Sequence, residues 1–370
     1  NGDGSHTHYG KSGVQTLIQT QDTNQHLVIH NETASQLTRT DLSGDFEYKL
    51  ATDNAAVTTA GGAVSVAKVT AAVNRIQNAN AVYDATVTRP ADADHAVRGG
   101  YSEYGHNVTK NTLKVTNLPA TGLTAAYGGE VAGLAGEVFG NNLFVTGTKD
   151  HESPSVTQTL TNAYGGAITN ANNAGAVGSS EERRGNRVAV SGGQVTNVYG
   201  GYTVGAGNVQ GNAVYVAGGT VTDAYGGASR GNGKVTENAV MLNGGTTGNA
   251  YGGYTTDGAV VDNRVLSEGG TATGTLYGAK TASGNADDNK VFVRSGTVKN
   301  VIGAETTTGN VRGSQVFITG GTIGTPAASP APAVLGSVRG AQSADGNVDG
   351  NSVTITGGTI VGTVYGGAAT

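Results

Sequence analysis

The sequence predicts an all-β chain wound as a parallel β-helix (a β-solenoid), and three observations carry that prediction. A block of about 26 residues recurs, read most cleanly from Tyr199, Tyr225, Tyr251 and Tyr277, whose successive differences are each 26. An asparagine or its stand-in returns before each short apolar strand, at Asn186, Asn212, Asn238, Asn263, Asn289, Ser314 and Asn351, with gaps of 26, 26, 25, 26, 25 and 37. Glycine supplies 62 of 370 residues, with no Gly-X-Y period and only 6 prolines, which suits many short strands joined by tight turns rather than collagen or disorder. Self-similarity at a fixed period of 20 to 50 residues means a stack of near-identical units. A coil of 26 residues exceeds the short coils of left-handed hexapeptide solenoids, so a right-handed, three-faced coil is expected.

Residues 201 to 227 show one coil in order. Asn212 opens it, and its amide is expected to bond the asparagines of the coils on either side, so Asn186, Asn212, Asn238, Asn263, Asn289 and Asn351 are read as an internal ladder. Val214 and Val216 alternate as a half-buried strand does, with Tyr215 facing outward. Gly218-Gly219 turns the chain, and Thr220 to Thr222 leads into Tyr225-Gly226-Gly227. Both glycine pairs are expected to supply corners with φ > 0. No coil buries its inner face alone, so the coils above and below must pair with every strand.

The period fades before residue 110. Residues 1–98 are read as an irregular N-terminal cap, with a strand at Leu27-Val28-Ile29 and helical spacing at Val66, Val69, Val73 and Ile76. Residues 99–370 form the repeat domain.

Composition excludes several functions. No cysteine is present, which removes disulfides, thiolate chemistry and Cys-based zinc sites. The net charge of −5 and the lack of a basic stripe argue against nucleic acid. No run approaches the ~20 apolar residues a spanning helix needs, so no membrane insertion by this segment is expected. Gly2-Asp3-Gly4-Ser5 has the wrong order for a serine-protease nucleophile. All seven histidines lie at or before His151, and neither His6 with His8 nor His26 with His30 has a third ligand at metal spacing. Asp223 is matched by Asn197 and Asn249 one coil to either side, while Asp262, Asp287 and Asp288 sit in a turn, so no column of acids is expected. The reading is therefore no catalytic residue, no metal and no cofactor.

The unit Asn-x-Val-x-Val-x-Gly-Gly-Thr-Val-x-x-Ala/Val-Tyr-Gly-Gly resembles repeats in the passenger regions of Gram-negative type V autotransporter adhesins. The likeness covers about residues 99 to 370 and is clearest at 186 to 278 and 311 to 367. It implies an extracellular, bacterial cell-surface protein of adhesive function, with a secretion signal before Asn1 and a β-barrel translocator after Thr370.

Departures from the period mark candidate contact sites. The gaps from Gly128 to Gly165 and from Gly303 to Gly340 are both 37, which is 11 more than the period. Both insertions are expected at one corner, six coils apart, one carrying Lys149, Asp150, His151 and Glu152, the other Pro326, Pro330 and Pro332. Such loops lie on one edge of a solenoid, where binding usually resides. A third insertion runs from Asn170 to Arg184. The recurrent tyrosines read as a packing ladder, whereas Tyr202 and Tyr254, present in alternate coils, read as surface residues that could contact a partner. The expected function is a non-enzymatic adhesin whose edge loops bind a protein or glycan on a cell surface or matrix, with self-association a further contact that such a rod allows. A polysaccharide-active enzyme and a purely structural spacer or filament are the alternatives.

Overall fold

A computed structural model describes residues 7–9, 16–18, 26–30, 37–42, 45–50, 80–84, 96–102, 107–118, 121–150, 153–179, 185–328 and 331–369. Among them there is no helix, and strands form one 24-stranded sheet, one 9-stranded sheet and two small sheets. The two large sheets are parallel coil upon coil, so the chain is a parallel β-helix. The helical spacing expected at Val66 to Ile76 lies outside the described residues. His26–His30 pairs in parallel with Asn80–Asp84, which pairs with Thr112–Val115, so parallel stacking reaches below residue 99. Leu37–Leu42 and Asp45–Leu50 form an antiparallel hairpin.

Each coil has three strand segments, as residues 213 to 236 illustrate. Ala213–Val216 stacks between Arg187–Val190 and Ala239–Leu242. Thr220–Ser229 stacks on Gln194–Thr203, residue against like residue, including Tyr199 on Tyr225. Val235–Thr236 belongs to the smaller sheet, between Val209–Gln210 and Val260–Val261. Within Thr220–Ser229 the ladder skips Thr222 and Gly226, the points where the strand bends.

Two of the turns use left-handed backbone. Gly219 has φ 75°, as expected for the first glycine corner. The other left-handed residue precedes the asparagine: Gly211, Gly313 and Gly350, but also Lys110, Glu237, Asp262 and Asp288, with φ from 52° to 67°. The Tyr-Gly-Gly pair is different. Gly226 lies inside a strand without positive φ, and what requires glycine there is proximity. A Cβ on Gly226 would stand 2.5 Å from the Gly252 carbonyl oxygen and 2.7 Å from the Ala239 nitrogen. The first glycine of the pair recurs without exception from Gly128 to Gly340, whereas the second yields to Ala279, Ala304 and Ala341.

This close approach pinches every coil into two cores. One holds Val214, Val216, Val221 and Ala224 with their counterparts. The other holds Val209, Val235, Val260 and their counterparts under the smaller sheet. The asparagine ladder stands at the waist between them, fully buried from Asn111 to Asn289 and half-buried at Asn351. Asn238 Nδ2 donates to Val209 O at 3.0 Å, Thr236 O at 2.9 Å and Asn263 Oδ1 at 3.0 Å, while its Oδ1 accepts from the N–H and Nδ2 of Asn212. The same pattern links Asn111, Asn141, Asn186, Asn212, Asn238, Asn263 and Asn289, so the ladder begins two coils before the first residue the sequence assigned to it. Ser314 interrupts it: its Oγ is buried without a partner, although its N–H still donates to Asn351 Oδ1 at 2.8 Å.

A second internal column escaped the sequence analysis. The hydroxyls of Thr255, Thr281, Thr306 and Ser343 each accept from a glycine N–H in their own turn and donate to a carbonyl of the preceding coil, at 2.9 to 3.2 Å. It closes the turn between the long strand and the smaller sheet.

Asn238→Leu should lower stability by about 3 kcal/mol or more, because several buried groups lose their partners at ~1–3 kcal/mol each; chemical unfolding measures it. The converse change, Ser314→Asn, should raise stability by about 1 kcal/mol, since it replaces an orphaned hydroxyl with an amide in register. Lower or unchanged stability of that variant in the same assay would contradict the account of the break.

Candidate functional site

The outer surface of the long strands is tyrosine-rich. Tyr127, Tyr164, Tyr199, Tyr225, Tyr251 and Tyr277 stack face to face, with centroids 4.7 to 5.0 Å apart and planes within 10°. Ring faces are consumed by neighbouring rings; within the ladder Tyr164 and Tyr199 are buried, while Tyr127, Tyr225, Tyr251 and Tyr277 remain half-buried. Cations stand at its ends: the Arg98 guanidinium lies 5.3 Å from the Tyr127 ring, and Lys280 Nζ lies 5.0 Å from the Tyr277 ring. Arg98 also pairs with buried Glu130, whose carboxylate accepts from Thr169 Oγ1 at 2.8 Å. Lys280 pairs with Glu305 at 2.6 Å.

Tyr202 and Tyr254 lie in the adjacent column, where Ala167, Tyr202, Ala228, Tyr254 and Lys280 follow one another. Each ring leans back over the alanine of the coil before it. Tyr202 tilts 50° to Tyr164 and 55° to Tyr199, and Tyr254 meets Tyr225 and Tyr251 edge-on at 71°. Their alternation follows, because a ring in every coil would leave no alanine to lie over. Both remain half exposed, and the Arg230 guanidinium lies close enough to the Tyr202 hydroxyl for each to influence the other electrostatically. Beside the ladder, on the other side, Asn249 Nδ2 donates to Asp223 Oδ1 at 2.9 Å and Asn197 Nδ2 to Asn162 Oδ1 at 3.0 Å.

The insertions do not share a corner. The first leaves after the turn at Thr148 and rejoins at Thr159, before the long strand begins. The second lies between Thr322–Ile323 and Gly336–Arg339, which pair with two successive parts of Lys290–Thr306, so it leaves at the next corner. The expected single corner fails because equal insertion length fixes the coil but not the position within it. Lys149 is exposed, but Asp150 is buried and accepts from Ser153 N–H at 3.3 Å and Gln158 Nε2 at 3.2 Å, so it braces its own loop. His151, Glu152 and Pro330 lie outside the described residues. Pro326 and Pro332 are exposed on a hairpin tied by Thr325 with Val334 and Ala328 with Ala331. Val334 and Leu335 are exposed on its returning arm.

Acids do recur in register, contrary to expectation. Glu237, Asp262 and Asp288 each hold the left-handed position before the ladder asparagine in consecutive coils. Asp262 and Asp288 stand in the turn where the sequence places them, and Glu237 extends them to a column of three. The three are exposed, Asp262 is 3.1 Å from Lys290 Nζ, and Glu237 accepts from Gln210 Nε2. Asp287 beside them has its carboxyl pushed up by burial, against the pull of Arg312. Among the described residues no three His, Cys, Asp or Glu side chains stand together as metal ligands.

Compared with family models, curated proteins and solved structures, the chain has no match.

Burial raises the phenol pKa of Tyr164, Tyr199, Tyr225 and Tyr251 above the ordinary 10, Tyr199 to about 12. Arg230 opposes the shift at Tyr199. A phenol whose folded pKa is raised contributes stability that is complete below pH 10 and lost as pH rises toward the folded value, by up to ~1.4 kcal/mol per pH unit for each group. The melting temperature should therefore hold to about pH 10 and fall steeply between pH 10 and 12, with the phenolate absorbance of these four tyrosines appearing only at unfolding. Titration of all fifteen tyrosines near pH 10 in the folded chain would contradict the packed ladder.

Proposed function

We propose that the chain is a rigid, non-enzymatic binding rod of a cell-surface adhesin, meeting a protein or glycan partner through its tyrosine surface. The observation that carries this reading is the fixed array in which Tyr202, Tyr254, Arg230 and Lys280 flank the stacked ladder. Tyrosine and arginine held in place lose little conformational entropy on binding and dominate protein contacts. The hairpin at residues 325–335 stands beyond the end of the ladder, two coils past Tyr277 and on its Asn300 side, since Ser337, just after it, continues the Asn300 column. The resemblance to type V autotransporter passengers supports extracellular display. Edge loops remain part of the contact as a rim around the aromatic centre.

Binding of the purified, immobilised chain to cells, matrix proteins and a glycan array tests the proposal. Tyr202→Ala/Tyr254→Ala should weaken binding about tenfold or more; both rings pack on the cluster of Tyr164 and Tyr199 but lie outside the two internal cores, so melting should fall only modestly and circular dichroism should be unchanged. Full binding by that variant, but none after trimming residues 325–335 to Gly-Gly, would move the contact to the loop. Cleavage of a polysaccharide without stable binding would replace the proposal with the enzymatic alternative.

A further inference from the structure

One outward column of the 24-stranded sheet is apolar over most of its length. Phe144, Tyr215, Met241, Leu266, Phe292 and Phe317 hold the same register position on the first strand of their coils, with Ala189 completing the file. The file takes the only methionine of the chain and three of its five phenylalanines. Phe292 and Phe317 stack at 5.0 Å, while Phe144 and Met241 are 42% and 36% exposed. Lys114 and Thr354 close it at its two ends. Its rims are polar: Arg187, Arg264 and Lys290 on one side, Asn243, Glu268 and Arg294 on the other. Asn243 donates to the Tyr215 hydroxyl at 2.9 Å, and Arg294 pairs with Glu268 at 2.7 Å. Scattered apolar surface residues need no explanation, but a continuous file with a polar rim has the make-up of an interface.

The spacing of the file selects its occupant. Its members repeat at the ~4.8 Å separation of paired strands over six spacings, or roughly 29 Å. Helices and loops present side chains at other intervals, so only another in-register parallel sheet can set one side chain against each member. We propose that this face packs against the same face of a second copy of the chain, two parallel rods side by side with sheets ~10 Å apart. In that arrangement the two rims exchange: Arg264 meets Glu268 of the partner subunit at equal height, and one coil on, Lys290 meets Arg294 of the partner subunit, each of these two cations already countered within its own rod by Asp262 and Glu268. An antiparallel pair centred on Met241 sets Arg187 against Lys290 and brings no opposite charges of the rims face to face. The face measures roughly 29 by 13 Å, below the ~800 Å² per partner of a stable complex, so the pair is weak and forms where copies are crowded. It shares no residue with the tyrosine surface, and the two readings stand or fall separately.

Sedimentation equilibrium of the full chain from micromolar to millimolar concentration tests the pairing. The weight-average mass should climb from one chain toward two. Met241→Lys/Phe292→Lys should hold the chain monomeric over the same range with unchanged circular dichroism; if it melts early, Met241→Thr/Phe292→Thr is read in its place. Tyr202→Ala/Tyr254→Ala should pair as the parent does. Absence of cysteine makes the direction readable: Phe144→Cys should cross-link to itself through a short bis-maleimide, whereas antiparallel rods bring Phe144 to Phe317 and give no product. A monomer at the highest concentration, or a pair that survives both substitutions, overturns the proposal, and pairing without the Phe144→Cys product overturns the parallel arrangement.

Discussion

The waist of each coil is the constraint on which the rest depends. There the backbone of the long strand touches the backbone of the first strand, a contact possible only because Gly226 and its counterparts lack a Cβ. Such an approach would strand carbonyls and N–H groups in an apolar interior. The buried asparagines resolve this, each amide bonding backbone on its own coil and the amide of the next. Glycine makes the approach and asparagine makes it tolerable, so neither column has meaning without the other. A slip of one residue would turn the amide to the outer face and carry a neighbour such as Ala213, Glu237 or Arg264 to the waist, which fixes the register of every coil.

Because coils stack in register, any side chain that recurs at one position becomes a column. Inside, columns give the amide ladder, the hydroxyl ladder and the two valine stacks. Outside, they give a tyrosine surface on the long strands and an apolar file on the first strands. The rod thus presents extended, repetitive surfaces with a ~4.8 Å period. A partner that matches the period gains one contact per coil, which favours extended or repetitive partners over compact ones. The tyrosine faces are already stacked on each other, so what the ladder can present to solvent is ring edges and hydroxyls, with Arg230 beside them.

The coil carrying the second insertion also follows the break in the amide ladder. Ser314 has no amide to offer Asn289, and the next asparagine comes only after the insertion, at Asn351. The strands nonetheless continue in register, Gln315–Ile318 pairing with Ser352–Ile355. Stacked strands are held by many parallel hydrogen bonds, so one coil can lose its amide and accept a hairpin without displacing its neighbours.

The sequence by itself determined the architecture. A 26-residue period, alternating valines and recurring asparagines allow only a stack of short parallel strands, and the ladder at Asn186 to Asn289 was legible as structure because polar residues in an apolar repeat must satisfy one another. The tertiary structure alone decided how the coil is shaped and what it exposes. Gly226 reads as a turn residue in sequence but serves a close approach, which depends on a strand distant along the chain. Asp150 reads as a charged loop residue but is buried in its own loop, and Tyr202 and Tyr254 rest on alanines one coil away. The apolar file was hidden because Phe144, Tyr215, Met241 and Leu266 are unlike residues at unequal spacings. Only folding brings them into line, since strand pairing absorbs the insertions that disguise the period.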